Sequence, residues 1–182
     1  MYDVRVSSPR WLDAEEQRAW RAFLDATGRL FDAIGTQLQG DAGLPHGYYE
    51  ILVRLSEAPE RALRMGDLAD ASLSSRSRLS HAVARLEERG WVRRMECRTD
   101  KRGQLAQLTD EGFAALSAAA PGHVERVRSA LFDPLTPDQV QQLREISEAV
   151  SRRLDAESEA VAGRTNASAS CRLDEQESGR NK

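Results

Sequence analysis

Apolar residues recur at three- to four-residue spacing through most of the chain, which is the period of an amphipathic helix. The first such stretch covers residues 13–39, and Asp13 and Glu16 have the spacing of a capping box at its start. Later stretches of the same period predict five further helices, at 48–57, 66–71, 75–89, 109–131 and 136–158. The chain is therefore predicted to be mainly helical.

The period shortens to two after Gly90, which ends the helix over 75–89. The stretches "WVRRMEC" (91–97) and "GQLAQLT" (103–109) have the composition of strands, and "RTDKR" joins them. Two such segments with a charged connection predict an antiparallel hairpin. A short extended piece is also predicted at Ala62–Met65. The predicted fold class is mainly α with a small β-hairpin (α+β).

The order of elements in the middle of the chain predicts a winged helix-turn-helix. A short helix at 66–71, the turn "SLSS", a polar-fronted helix and a basic hairpin follow one another. The second helix of such a pair fits the major groove of DNA, where its first side chains meet base edges. That predicted front consists of hydroxyl, guanidinium and imidazole side chains: Ser74, Ser75, Arg76, Ser77, Arg78, Ser80 and His81.

The overall net charge is −3, but the charges are unevenly distributed along the chain. Residues 76–103 carry nine basic and four acidic side chains, a net of +5, so the rest of the chain carries −8. A basic segment inside an acidic envelope indicates one face that meets a polyanion. No apolar run approaches the roughly 20 residues of a bilayer span, and we expect a soluble cytoplasmic protein without membrane contact.

The same region resembles the MarR family of bacterial transcriptional regulators. The matching features are "VARLEERGWVRR" (83–94), the D-x-R of "TDKRG" (99–103) and "LTDEG" (108–112). The resemblance covers about residues 10–157. It implies an obligate homodimer that binds a pseudo-palindromic operator in double-stranded DNA, usually as a repressor released by a small phenolic ligand or by oxidation.

The resemblance also implies a division of the chain into four parts. Residues 1–44 form an N-terminal dimerisation helix, 45–110 the winged helix-turn-helix lobe and 111–158 the C-terminal dimerisation helices. The remaining residues, 159–182, have little apolar periodicity and many small polar side chains, and we expect them to be a disordered tail.

Residues of the wing receive roles from the resemblance. Arg102 would enter the minor groove at the wing tip, while Arg98 and Lys101 would contact phosphates. Asp100 would brace Arg102 and Arg94 through ion pairs. The alternative for these charged residues is a set of surface salt bridges, each worth under about 1 kcal/mol. Gly103 departs from the family pattern, which often has a small apolar residue there.

A small aromatic ligand is a further expected partner. Aromatic and histidine side chains near the first two predicted helices could line its cavity: Trp20, Phe31, His46, Tyr48 and Tyr49. Core packing and a dimer interface are the competing interpretation of the same residues.

Catalysis has little support in the composition. The three histidines, His46, His81 and His123, are widely separated, and the chain has neither a phosphate-binding glycine loop nor a cluster with metal-ligand spacing. We therefore expect no enzyme activity, cofactor or metal. Cys97 lies on a predicted strand, and we interpret it as an inert thiol. A winged helix used for protein contact remains the alternative to DNA binding, although such a module need not keep arginines on both the helix and the wing.

Overall fold

The computed structural model describes residues 9–72, 74–96 and 104–178, with side chains described as far as residue 157. Its residues form two compact units, divided between Leu131 and Phe132. The first unit contains five helices and a small sheet within the described residues, and the second is built on one long helix.

Helix α1 spans Ala14–Ala42 and begins with the predicted capping box. The Asp13 carboxylate accepts hydrogen bonds from the backbone N–H groups of Glu15 and Glu16, each at 2.8 Å, and Glu16 accepts from the Asp13 N–H at 2.9 Å. The helix ends three residues later than predicted, because Gly43 rather than Gly40 adopts the left-handed conformation, at φ 57°.

The middle of the chain folds in the predicted order. Four elements follow α1: helix α2 (His46–Glu57), strand β1 (Ala62–Arg64), helix α3 (Met65–Ala71) and helix α4 (Arg76–Glu88). Helix α2 begins two residues earlier than predicted, since Pro45 stands at its N-cap. Gly90 has φ 73°, which confirms it as the residue that ends α4.

The predicted hairpin is confirmed. Strands β2 (Val92–Glu96) and β3 (Gln104–Leu108) pair antiparallel, with Val92 opposite Leu108. Strand β1 pairs with the other edge of β3, so the sheet order is β1-β3-β2. The short extended piece that the sequence predicted is therefore the third strand of the sheet.

One apolar core holds the first unit together. Helices α1 to α4 and the segment after α1 contribute its most deeply buried side chains: Leu38, Leu44, Leu52, Leu55, Leu68, Leu79, Val83 and Leu86. The sheet adds Val92, Ala106 and Leu108. Because α4 and the sheet share this core, apolar packing fixes the helix and the hairpin relative to each other.

Helix α5 (Asp110–Val127) follows β3 directly and closes the first unit. The Thr109 hydroxyl caps it by accepting from the Gly112 N–H at 3.0 Å, and donates to the Gly90 carbonyl at 2.7 Å. The helix packs against α1 and α2 and ends in a π-helical turn at Arg128–Phe132. Helix α5 lies within the first compact unit, and the role of residues 111–158 as dimerisation helices stays a prediction.

Helix α6 (Pro137–Ser178) forms the second unit. Its predicted start is confirmed: Gln139 Oε1 accepts from the Thr136 N–H at 2.9 Å, and the Thr136 hydroxyl accepts from the Gln139 N–H at 3.3 Å. The helix continues to Ser178, where the sequence predicted a disordered tail from residue 159. Residues 159–178 contain no proline and several alanines, which favours continuation of the helix, and Gly163 is the main residue that disfavours it. Among the described residues, no helix is both long and apolar enough to cross a membrane.

Candidate nucleic-acid interface

The start of α4 is a fixed, hydroxyl-capped helix end. The Ser75 backbone is extended, and its hydroxyl accepts a hydrogen bond from the Arg78 N–H at 3.3 Å. One residue earlier, the Ser74 N–H donates to the Ala69 carbonyl at 3.0 Å. These bonds fix the turn between α3 and α4, so the first turn of α4 projects from a defined position.

Most of the predicted contact side chains on α4 are exposed together. The exposed members of the set are Ser75, Arg76, Ser77, Arg78 and His81. Ser74 and Ser80 are half-buried instead, Ser74 because it lies in the turn and Ser80 because the Arg94 side chain covers it. Leu79, Val83 and Leu86 face the core and anchor the helix, while Arg76 and Arg78 are exposed in its first turn.

Arg94 joins the hairpin to α4. Its Nη2 donates to the Ser80 carbonyl at 2.9 Å, and its backbone N–H donates to Glu87 Oε1 at 2.9 Å. Its Nε lies 3.1 Å from Glu87 Oε2, an ion-pair distance, but is not aligned for a hydrogen bond. The sequence predicted a bracing role for Arg94 but missed Glu87, which lies seven residues earlier and faces Arg94 only after α4 and β2 pack.

The tip of the predicted wing lies outside the residues that the structure describes. Arg98, Lys101 and Arg102, and the predicted brace Asp100, lie outside the described residues, as do Cys97 and Gly103. The strands β2 and β3 that carry these residues are described and begin beside α4.

A cleft of about 440 Å³ opens between the beginnings of α3, α4 and β3. Arg64, Arg76 and Gln104 contribute its long polar side chains, and Ser80 lies on its wall. Sequence reasoning missed Arg64 and Gln104, since only the packing of β1 and β3 brings them beside Arg76. The guanidinium groups give this side of the lobe the chemistry of a phosphate-binding surface.

A second cleft, of about 530 Å³, separates α2 from α4. Phe31, His46 and Tyr48 line it, as three of the five predicted ligand residues, and Arg78 of α4 lines the opposite side. The His46 ring lies 5.5 Å from the Phe31 ring, measured between centroids. The structure therefore assembles an aromatic wall directly beside the first turn of α4.

The other two predicted ligand residues do not reach this cleft. Trp20 precedes Phe31 by three helical turns on α1 and stacks on Phe23 with 6.3 Å between ring centroids. Tyr49 is 5% exposed and packs against the His123 ring at 4.4 Å. Tyr49 faces the core because neighbouring helical residues point about 100° apart, so Tyr48 and Tyr49 cannot share one face.

His123 of α5 adds a half-buried imidazole behind this wall. Its Nδ1 is buried and has no hydrogen-bond partner within the described residues. Burial lowers the pKa of His123, and the neighbouring His46, 6.3 Å away between ring centroids, lowers it further. The pKa shift favours the neutral form of His123 at neutral pH. In the described part of the chain, no group of three or more His, Cys, Asp or Glu side chains could hold a metal ion.

Replacing Ser75 by alanine is expected to destabilise the first turn of α4. The variant loses the hydroxyl that caps the Arg78 N–H, which typically lowers the free energy of unfolding by about 0.5–2 kcal/mol. Urea denaturation followed by circular dichroism measures this change. Ser77→Ala is the matched control, since Ser77 is exposed in the same turn, and we expect its effect to stay within about 0.5 kcal/mol. Equal stability of the two variants would contradict the capping role.

Comparisons with known proteins agree on one family. A family model described as "MarR family" matches residues 42–103. Among proteins of known function, the chain is 34% identical to the HTH-type transcriptional regulator PecS of Dickeya dadantii (strain 3937) over 93 residues. That match covers 51% of this chain, and the chain spans only 55% of the length of PecS.

Two solved structures from Streptomyces coelicolor are more similar over a longer range. Sco3205, a MarR family transcriptional regulator solved in complex with DNA, has 56% identity and a TM-score of 0.77, covering 80% of this chain and 91% of that one. AbsC, also a MarR family transcriptional regulator, has 39% identity and a TM-score of 0.77, covering 81% of this chain and 99% of that one.

Proposed function

The chain belongs to the MarR family, and on that premise we propose that it is a sequence-specific DNA-binding transcriptional regulator of the cytoplasm. It acts through a recognition helix, α4, in the major groove and a basic wing in the minor groove. The observation that carries this proposal is the exposed first turn of α4, where Arg76 and Arg78 stand on a helix anchored by Leu79, Val83 and Leu86.

The chemistry of this turn suits base edges and phosphates. An arginine can donate two parallel hydrogen bonds to guanine O6 and N7, and each such pair contributes about 1–3 kcal/mol of discrimination. The short serine side chains let the helix backbone approach the groove closely. Anchoring by Arg94 and Glu87 holds the hairpin beside this turn, so one lobe can engage two adjacent grooves.

We propose that the protein binds as a homodimer. Helix α1 exposes a set of large apolar side chains, Trp20, Phe23, Leu24 and Phe31. Helix α6 exposes Ile146, Val150 and Leu154, which are 63%, 55% and 56% accessible and recur every four residues. Exposed apolar stripes of this length on two helices favour burial against a second copy. A two-fold dimer would present two α4 helices to half-sites about one helical turn apart.

Repression released by a small aromatic ligand is the regulatory part of the proposal. The cleft beside α4 has the aromatic wall of Phe31, His46 and Tyr48, and Arg78 lines both the cleft and the exposed turn. A ligand that binds better to the arrangement incompatible with DNA would shift the population toward it by its differential affinity. Once such a ligand is identified, its affinity for three variants tests this site. Phe31→Ala removes a residue of the cleft and should weaken ligand binding. Trp20→Ala and Tyr49→Ala change residues outside the cleft and should weaken it less.

Arg102→Ala is expected to weaken DNA binding without changing the dimer. Loss of one phosphate-neutralising charge should reduce the slope of log K against log salt by about 0.9. Fluorescence anisotropy with labelled promoter DNA at several salt concentrations measures affinity and slope together. Unchanged affinity and slope at matched salt would overturn the role of Arg102 in the wing.

Analytical ultracentrifugation tests the proposal as a whole. Sedimentation equilibrium of the full chain, alone and with a duplex from the promoter of its own gene, should give two subunits free and two subunits per bound duplex. A monomer that binds no duplex at low salt would contradict the proposed function.

A further inference from the structure

Two residues before β1 have backbone conformations that L-amino acids seldom adopt. Glu60 and Arg61 both have φ 53°, in the left-handed region, although neither is glycine. Strained positions of this kind persist where the surrounding structure holds them in place, and they are frequent at functional positions. The turn they form connects α2 to β1, at the end of the sheet remote from the hairpin loop.

The Arg61 side chain reaches helix α5 from this turn. Its Nη1 lies 3.2 Å from Asp110 Oδ1, an ion pair in which the Asp110 side chain is 98% exposed, and its guanidinium carbon lies 4.0 Å from the centre of the Phe113 ring. Asp110 is the first residue of α5, and Phe113 follows one turn later. A guanidinium can stack on a ring and donate an in-plane hydrogen bond at the same time, which an ammonium cannot do.

The same turn is connected to the strands of the hairpin. Gln107 of β3 donates from Nε2 to the Glu60 carbonyl at 3.0 Å, and its Oε1 accepts from Arg93 Nε of β2 at 2.8 Å. Ala62, next to Arg61, pairs with Gln107 in the sheet. A continuous set of polar contacts therefore runs from β2 through β3 and the strained turn to the first turn of α5.

We propose that Arg61 is a positioning residue for DNA binding, which fixes the sheet, and with it the wing, on the first turn of α5. This inference rests on the proposed function. In this proposal Arg61 does not contact DNA. It sets the orientation of the hairpin relative to α5. Because α5 packs on α1, the helix with the exposed aromatic stripe, the contact also connects the wing to the proposed dimer surface.

Three variants distinguish a positioning role of Arg61 from the effects of backbone strain and of charge on DNA affinity. Arg61→Gly relieves the left-handed strain and removes the side chain, whereas Glu60→Gly relieves the neighbouring strain and leaves the Arg61 contacts in place. Asp110→Asn breaks the ion pair and removes a negative charge. A simple charge effect would make Asp110→Asn bind DNA more tightly, so positioning and charge predict opposite signs.

The measurements are melting temperature and affinity for promoter DNA at several salt concentrations, with the full chain. We expect Arg61→Gly to melt no lower than the wild type yet bind about three- to tenfold more weakly, in line with losing a cation–π contact and an ion pair. Glu60→Gly should keep wild-type affinity, Asp110→Asn should bind more weakly, and all salt slopes should stay unchanged.

The inference is overturned if Asp110→Asn binds promoter DNA as tightly as the wild type or more tightly. The melting temperatures of the other variants do not change this conclusion. Equal affinities of Arg61→Gly and Glu60→Gly would overturn it as well. Either result with DNA binding by the wild type intact leaves the proposed function standing. A wild type that binds no DNA would instead overturn the proposed function, and this inference with it.

Discussion

Arg78→Ala is expected to weaken binding to the specific operator by about 10- to 100-fold, the loss of one bidentate contact to a base pair. The side chain is exposed in the first turn of α4, and its backbone N–H is held by the Ser75 hydroxyl. Affinity for unrelated duplex DNA should fall much less, since phosphate contacts dominate nonspecific binding. Competition titrations with operator and random duplexes measure both losses.

Arg85→Ala is the matched control for this substitution. Arg85 lies two turns further along the same helix, where it is exposed and pairs with Glu88 at 2.8 Å. The Arg85→Ala substitution removes the same charge from the same helix as Arg78→Ala. A purely electrostatic effect would therefore weaken operator binding equally in both variants. Equal losses for Arg78→Ala and Arg85→Ala would refute the placement of the first turn of α4 in the major groove.

Gly112→Ala is expected to lower the free energy of unfolding by about 3 kcal/mol, the upper part of the usual range for overpacking. A β-carbon at this position would lie 2.1 Å from the Trp91 carbonyl oxygen and 2.8 Å from Leu108 Cδ1. The Trp91 carbonyl cannot retreat easily, because it accepts from the Thr109 N–H at 3.0 Å. Strand β2 and the start of α5 would have to separate, and thermal denaturation should show a fall of several degrees.

Gly47→Ala provides the comparison for that experiment. Gly47 lies in the first turn of α2, as Gly112 lies in the first turn of α5, but a β-carbon there meets nothing within 4 Å. Alanine is a better helix former than glycine, so Gly47→Ala should leave the melting temperature unchanged or raise it. A similar destabilisation by both substitutions would show that helix propensity, not the contact with Trp91, controls the effect.

Elements whose signals are local were predictable from the sequence. The capping pairs Asp13–Glu16 and Thr136–Gln139 act within one helical turn, and both form as predicted. Gly90 marks the end of α4 through a conformational preference of its own. The winged helix-turn-helix order follows from such signals in succession, and membership of the MarR family agrees with it.

Contacts between residues far apart in the chain were not predictable in the same way. Arg61 meets Asp110 across 49 positions, and no local pattern marks either residue as a partner of the other. The pairing of Arg94 with Glu87 depends on how β2 lies along α4. Tyr48 and Tyr49 look equivalent in the sequence, but only the packing of α2 decides which one faces the cleft.

The end of α6 shows what apolar periodicity can indicate. A low content of apolar residues after 158 indicates that these residues form no core, but apolar content alone does not decide whether they are helical. Helix α6 continues through these residues to Ser178, as an extension of the helix over 137–158 that needs no new nucleation step.

Hydroxyl-radical footprinting of the full chain on the promoter of its own gene tests the central claim most directly. The account predicts two protected half-sites related by two-fold symmetry, centred about one helical turn apart, with added protection in the flanking minor grooves. The Arg78→Ala variant should lose this pattern at protein concentrations where Arg85→Ala retains it. Uniform protection without half-sites, or no protection at low salt, would contradict the claim that this chain is a sequence-specific DNA-binding regulator.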